Sequence, residues 1–230
     1  MSPILLLAAL LPAGFLMRRV YRLDTIEKEP SDLLWRLVLM GALSAIPAAT
    51  AEMILGRILG RFVKEGSTLY LALENFIVVA GSEELFKRWP VRKTAWNHPA
   101  FNYRFDAVVY CVYAALGFAA LENVLYVARF GFSVAVSRAL LSVPGHFFFA
   151  VYMGIFLGES KLAEHMGDYR RSRRKLRQGL IVPMILHGFW DFSLSTGSPA
   201  MTAAFYAFVI LFFLIADKSL HRASDTDQPV

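Results

Sequence analysis

Charge is scarce in this sequence, and cysteine scarcer still. Of 230 residues only 18% are charged, against about 25% in an ordinary soluble domain. The single cysteine, Cys111, excludes a disulfide scaffold. Low charge combined with 14% aromatic residues excludes a disordered chain. Gly-x-Ser-x-Gly and His-Glu-x-x-His are absent, and Cys111 lies inside an apolar stretch, so the serine, zincin and thiol routes of hydrolysis lack their parts. What abounds is apolar surface, 57% of the residues, a membrane composition. The net charge of +6 is carried by basic residues between the apolar stretches. That arrangement sets orientation in a bilayer and argues against nucleic acid as a partner.

Seven apolar stretches are long enough, or nearly so, to cross a bilayer. They run near Pro3 to Met17, Leu33 to Leu55, Thr68 to Ser82, Ala107 to Val127, Phe132 to Leu157, Gly179 to Ser195 and Ala200 to Ala216. Pro144-Gly145 interrupts the fifth, so the count is seven or eight. The expected fold is an all-α polytopic transmembrane bundle forming one domain over residues 1–222, with a disordered polar tail at 223–230. Alternating from an outside N-terminus, the inner loops carry eighteen Lys and Arg and the outer segments five. That positive-inside bias puts the C-terminus in the cytoplasm. The basic run Arg170 to Arg177 reads as a topology determinant. Trp89 and Trp96 are placed as interfacial anchors. Gly56-x-x-x-Gly60 and Gly154-x-x-x-Gly158 would let helices approach closely.

Ionisable groups inside a span cost about 2.5–3.5 kcal/mol each on insertion scales, so a set of them marks a functional site. The third span ends in Gly81-Ser82-Glu83-Glu84-Leu85-Phe86-Lys87, where helical spacing lets Lys87 pair with either glutamate. The fourth opens at Asp106 and carries Glu122 and Asn123, with Arg138 a candidate partner for Glu122. The fifth holds His146; the sixth holds His187 and Asp191, four residues apart on one helical face. Helical rise places Glu83, His146 and His187 together in the cytoplasmic half and leaves Glu122 toward the outer side. Glu52 and Glu74 stand near span ends, where a carboxylate reaches the interface.

Carboxylates beside histidines in a dry cavity suit hydrolysis. One group takes a proton from water, and another donates to the oxygen of the tetrahedral intermediate. His146, His187, Asp191, Glu122 and Glu83 also form a donor set for zinc with an open position. Both routes stay open: a glutamate-type site needing no cofactor, or a zinc site.

Four motifs occur in order: Glu83-Glu84-x-x-Lys87; Asp106 followed by Gly117-Phe118-Ala-Ala-Leu-Glu122-Asn123-Val-Leu-Tyr126; His146 with Gly154; and His187-Gly-x-Trp190-Asp191. Together they resemble the PrsW family of intramembrane proteases, in the superfamily of CAAX prenyl proteases and bacteriocin-processing enzymes. The resemblance is strongest between residues 74 and 191. It implies an endopeptidase of a bacterial cytoplasmic membrane acting on a membrane-anchored protein, such as the first cut in an anti-sigma factor. It further implies Glu83 or Glu84 as general base, His187 with Asp191 as donor and orienter at the oxyanion, His146 positioning water, and Glu122 as the polar residue of the second motif. Lys87 and Asn123 are supporting residues. The CAAX branch differs in having histidine at the position of Glu122 and asparagine at that of Asp191. An ion-coupled transporter and a non-catalytic receptor or scaffold are the other classes to weigh. Neither an internal repeat nor paired broken helices favours transport.

Overall fold

The computed structural model describes residues 3–230, which form seven long helices and, among the described residues, no strand. They are α1 (Pro3–Leu23), α2 (Ser31–Phe62), α3 (68–95), α4 (Asp106–Phe130), α5 (Phe132–His165), α6 (Tyr169–Ser195) and α7 (Pro199–Asp225). By length and composition, α1, α2, α4, α5 and α7 suffice to cross a membrane. The other two are less apolar because they carry Glu83, Glu84 and Lys87 (α3) and the basic run (α6). Two helices widen into π-helix: α3 at Glu74–Val79 and Val91–Ala95, and α5 at Arg138–Ser142. Such bulges rotate the succeeding turns relative to a regular helix and recur at functional sites. Here one precedes Glu83 and another precedes His146.

Helix α4 is central. From Asp106 to Ala119 every residue except Tyr113 is buried, which fits a helix apolar all round and enclosed by neighbours. It packs against α1, α2, α3 and α5, and α5 in turn packs against α6 and α7. Small residues make the crossings tight. A Cβ on Gly117 would lie 2.2 Å from the Val38 carbonyl oxygen, and one on Gly41 2.0 Å from that of Ala114, so α2 and α4 touch backbone to backbone. Gly154 and Gly158 bring α5 equally close to Val108 of α4 and to Arg104 just before it. Gly56 meets nothing within 4 Å, and Gly60 meets only Glu65, so the other glycine pair makes no helix crossing.

Three expectations are revised. The polar tail is ordered: α7 continues to Asp225, Arg104 N donates to Gln228 O, Val230 N donates to Asn102 O, and Asp227 Oδ1 accepts from Phe105 N. The 98–106 loop offers unpaired backbone groups that the tail satisfies. Trp96 is buried against Phe101 with Arg92 over its ring, so only Trp89, half exposed, is free to act as an interfacial anchor. Helix α6 begins at Tyr169 rather than near Gly179, because Arg and Lys are good helix formers and Asp168 caps the first turn by accepting from Arg171 N.

Candidate active site

Glu83, Glu84 and Lys87 share one face of α3 by their three- and four-residue spacing. All three are buried. Lys87 Nζ donates to Glu83 Oε2 and to Glu84 Oε1, both at 2.8 Å, and lies 2.9 Å from His146 Nδ1. An ammonium can only donate, so Nδ1 of His146 accepts and its proton resides on Nε2, which faces Glu122 Oε2 at 3.1 Å. His187 lies between two carboxylates, with Nδ1 2.9 Å from Glu84 Oε1 and Nε2 3.2 Å from Asp191 Oδ2. An imidazolium donating from both nitrogens satisfies that arrangement. Glu83 Oε2 faces both rings, 3.9 Å from His187 Nε2 and 4.0 Å from His146 Nδ1. Phe149 stacks on His187 with centroids 5.0 Å apart, fixing the plane of the ring.

These groups border a cavity of about 520 Å³ whose walls include Glu83, Glu122, His146, His187 and Asp191. Glu84 is absent from the lining and fully buried, so it holds His187 from behind. Asn123 is also off the cavity. It donates to Ala9 O and accepts from Arg138 Nε, tying α1, α4 and α5 together. Arg138 reaches Glu122 at 3.4 Å, the pairing its charge within a span suggested. Residues that sequence reasoning left outside the site also line it: Asn75, Tyr126, Ser142, Ser195 and Glu52. Asn75 Nδ2 donates to Ser195 Oγ at 2.9 Å, joining α3 to α6. For Glu52 the available signal was its cost as a charge within a span; reading it as an interfacial group overlooked that its helix turns it inward.

The depth mismatch of Glu122 disappears. Because α6 starts at Tyr169, His187 lies about 27 Å along it and about 12 Å from its end at Ser195. Glu122 lies about 24 Å along α4 and about 12 Å from its end at Phe130. His187 and Glu122 are therefore level with one another, each nearer the end of its helix toward the 196–198 turn than its other end.

The donor set suits a metal ion. Carboxylates outnumber cations around the cavity, and Glu84 Oε2 is buried without a hydrogen-bond partner. Two groups place ligand atoms within 4.8 Å of one another: Glu83, Glu122 and His146; and Glu83, Glu84 and His187. Two imidazoles with carboxylates match zinc chemistry.

A helical bundle apolar enough for a bilayer, enclosing this acid and imidazole cluster beside a cavity, is built as a membrane-embedded hydrolase. Comparison with known proteins makes it a protease. Residues 29–216 match a family model described as PrsW family intramembrane metalloprotease. Protease PrsW of Geobacillus kaustophilus is 33% identical over 83% of this chain and 79% of its own length. Protease PrsW of Halalkalibacterium halodurans is 30% identical over 97% of this chain and 99% of its own. Protease PrsW of Bacillus subtilis is 30% identical over 82% and 81%. The chain belongs to the PrsW family, and is a membrane peptide hydrolase. No solved structure matches it.

Proposed function

We propose that the chain cuts a membrane-anchored protein at a peptide bond held in this cavity, with Glu83 as the base that activates water. The observation that carries this is the convergence of Lys87, His146 and His187 on Glu83 Oε2, the one carboxylate oxygen of the cluster that faces two imidazoles and whose residue lines the cavity.

Glu83 takes a proton as the water oxygen bonds to the carbonyl carbon. His187, held by Glu84 through Nδ1, shares its Nε2–H between Asp191 Oδ2 and the resulting oxyanion. Glu83 then returns its proton to the leaving nitrogen as the C–N bond breaks, giving an amine and a carboxylic acid, whose remaining proton passes to the amine or to water. Lys87 holds Glu83 Oε2 in place from 2.8 Å, and His146 with Glu122 positions the water. A metal held by Glu83 with Glu122 and His146, or with Glu84 and His187, would supply a polarised water and a Lewis acid for the carbonyl.

We take as its mouth the part of the cavity lined by Asn75, Leu194 and Ser195, toward the end of the bundle opposite the basic run. With the positive-inside orientation that mouth opens to the extracytoplasmic side of a bacterial cytoplasmic membrane. A first cut in an anti-sigma factor on that side fits the family resemblance and this opening.

The test is reconstitution in liposomes with a membrane-anchored peptide. Cleavage is read by mass spectrometry for the wild type and His187→Ala, with elemental analysis before and after chelation. Cleavage by the wild type that is lost in the variant supports the site. Near-stoichiometric zinc lost on chelation together with activity assigns the carboxylates in part as ligands. Cleavage that survives in His187→Ala contradicts the reading.

A further inference from the structure

The catalytic cavity has a second mouth. Helices α2 and α4 are locked together where Gly41 meets Ala114 and Gly117 meets Val38, and then they part. The last buried residue of α2 is Ala48, although the helix runs on to Phe62. Pro47 stands where the packing ends, and proline removes a backbone hydrogen bond and bends a helix at that point. The gap that opens is a groove of about 520 Å³. Its walls are apolar, with Ile46, Ala49 and Met53 on α2 and Leu121 and Leu125 on α4, and its floor carries Glu52, Glu83 and Glu122. Glu52, Glu83, Glu122 and Tyr126 line both this groove and the catalytic cavity, so the two spaces meet at the glutamates.

The mouths differ in chemistry. The one at the end of the bundle carries Asn75 and Ser195. The one between α2 and α4 lies on a flank where Ile46 is 59%, Met53 51% and Leu125 60% exposed, apolar side chains of helices suited to lipid. A water-soluble peptide would have no reason to cross that flank, whereas a segment already in the bilayer reaches it by lateral diffusion.

Resting on the reading that Glu83 hydrolyses a membrane-anchored protein, we infer that the gap between α2 and α4 is the lateral route by which the apolar segment of that substrate reaches Glu83. The occupant is an extended stretch at the end of a transmembrane segment. A peptide bond inside a helix is shielded by its own turns, and unwinding in lipid exposes N–H groups that need acceptors. Glu52, at the junction of groove and cavity, supplies a carboxylate where those groups pass and is a positioning residue for the substrate strand. Tight closure at Gly41 and Gly117 ends the groove on the side of the basic loops, so the segment is admitted only at the level of the glutamates.

The test uses a single-span peptide that the wild-type protein cleaves in liposomes, carrying one cysteine beside the cleaved bond. The binding partner is the full chain with Glu83→Gln, which holds substrate without cutting it. With a bis-maleimide, Ala49→Cys in that background is expected to cross-link to the peptide at least tenfold more than Ile210→Cys, a lipid-facing control on α7 that is 61% exposed. Equal cross-linking at the two positions, or cross-linking only from Ser195→Cys at the other mouth, overturns the route. As a second arm, Ala49→Trp with Glu83 intact should slow cleavage of the anchored peptide at least tenfold while its thermal melt is unchanged. A wild-type rate in Ala49→Trp overturns the route as well. Failure of the wild type to cut any anchored peptide would instead overturn the proteolytic reading itself.

Discussion

Lys87 donates to Nδ1 of His146 across 2.9 Å, so a lysine on α3 fixes the tautomer of a histidine on α5. The same ammonium holds both Glu83 and Glu84, and its other near neighbour is the face of Phe118, 4.8 Å from the ring centre. One side chain thus links the carboxylate pair to the imidazole that faces Glu122.

Replacing Lys87 by Met should therefore do more than slow the reaction. It removes the ammonium from both buried glutamates and leaves Glu84 with His187 alone, a change that costs about 3–5 kcal/mol when one partner of a buried pair is removed. A markedly lowered melting temperature in detergent and loss of cleavage are expected. Lys87→Arg should not rescue either, because a planar guanidinium does not fit three acceptors arranged around a point charge. A Lys87→Met protein with wild-type melting would contradict the role.

Glu84 holds His187 from outside the cavity. Under the proposed mechanism Glu84→Gln should lower kcat about tenfold or more, because Glu84 orients His187, with KM little changed. The pH profile of kcat should shift, because the charge beside His187 is gone. A change confined to KM would instead place Glu84 in substrate binding.

Two glycines of similar sequence setting should behave oppositely. Gly117→Ala drives a Cβ into the Val38 carbonyl and should destabilise by about 1–3 kcal/mol, the usual cost of overpacking. Gly56→Ala meets nothing within 4 Å and should be neutral or stabilising by up to about 1 kcal/mol from helix propensity. Melting curves of the two variants decide.

Asp24, in the loop between α1 and α2, is buried, and that burial with Glu29 beside it raises its pKa to about 7 from the usual 3.8, against the opposing pull of Lys28. A carboxyl raised on folding contributes stability that is fully present below its unfolded pKa and is lost as pH rises through the folded value. The melting temperature should therefore fall between pH 4 and 7 through this group. Asp24→Asn should flatten that part of the curve. An unaltered pH profile in the variant would remove Asp24 as the cause.

The residues that the fold gathers around the cavity were legible in the chain because they are costly in lipid. Glu83, Glu84, Lys87, Glu122, His146, His187 and Asp191 stand out in apolar surroundings, and helical spacing alone pairs Lys87 with its glutamates. The level at which they meet was not legible. The basic run before Gly179 reads as a loop, yet it is helical from Tyr169, and that shifts the inferred height of His187 by ten residues. The π-helical turns before Glu83 and His146 have no sequence signature, so the facing of those residues could not be read from a regular 3.6-residue period. Glu52 illustrates the same limit: its charge was visible, but only the parting of α2 from α4 shows which way it turns.

The central claim is that Glu83 activates the water. Its most direct test is the single-turnover rate of cleavage of a membrane-anchored peptide by Glu83→Gln, an isosteric change, in liposomes beside the wild type. Loss of about 10²–10⁴-fold, the usual contribution of a general base, with an unchanged melting temperature and retained substrate cross-linking, is the expected result. A Glu83→Gln protein that cuts the same bond within a few-fold of the wild-type rate would contradict it.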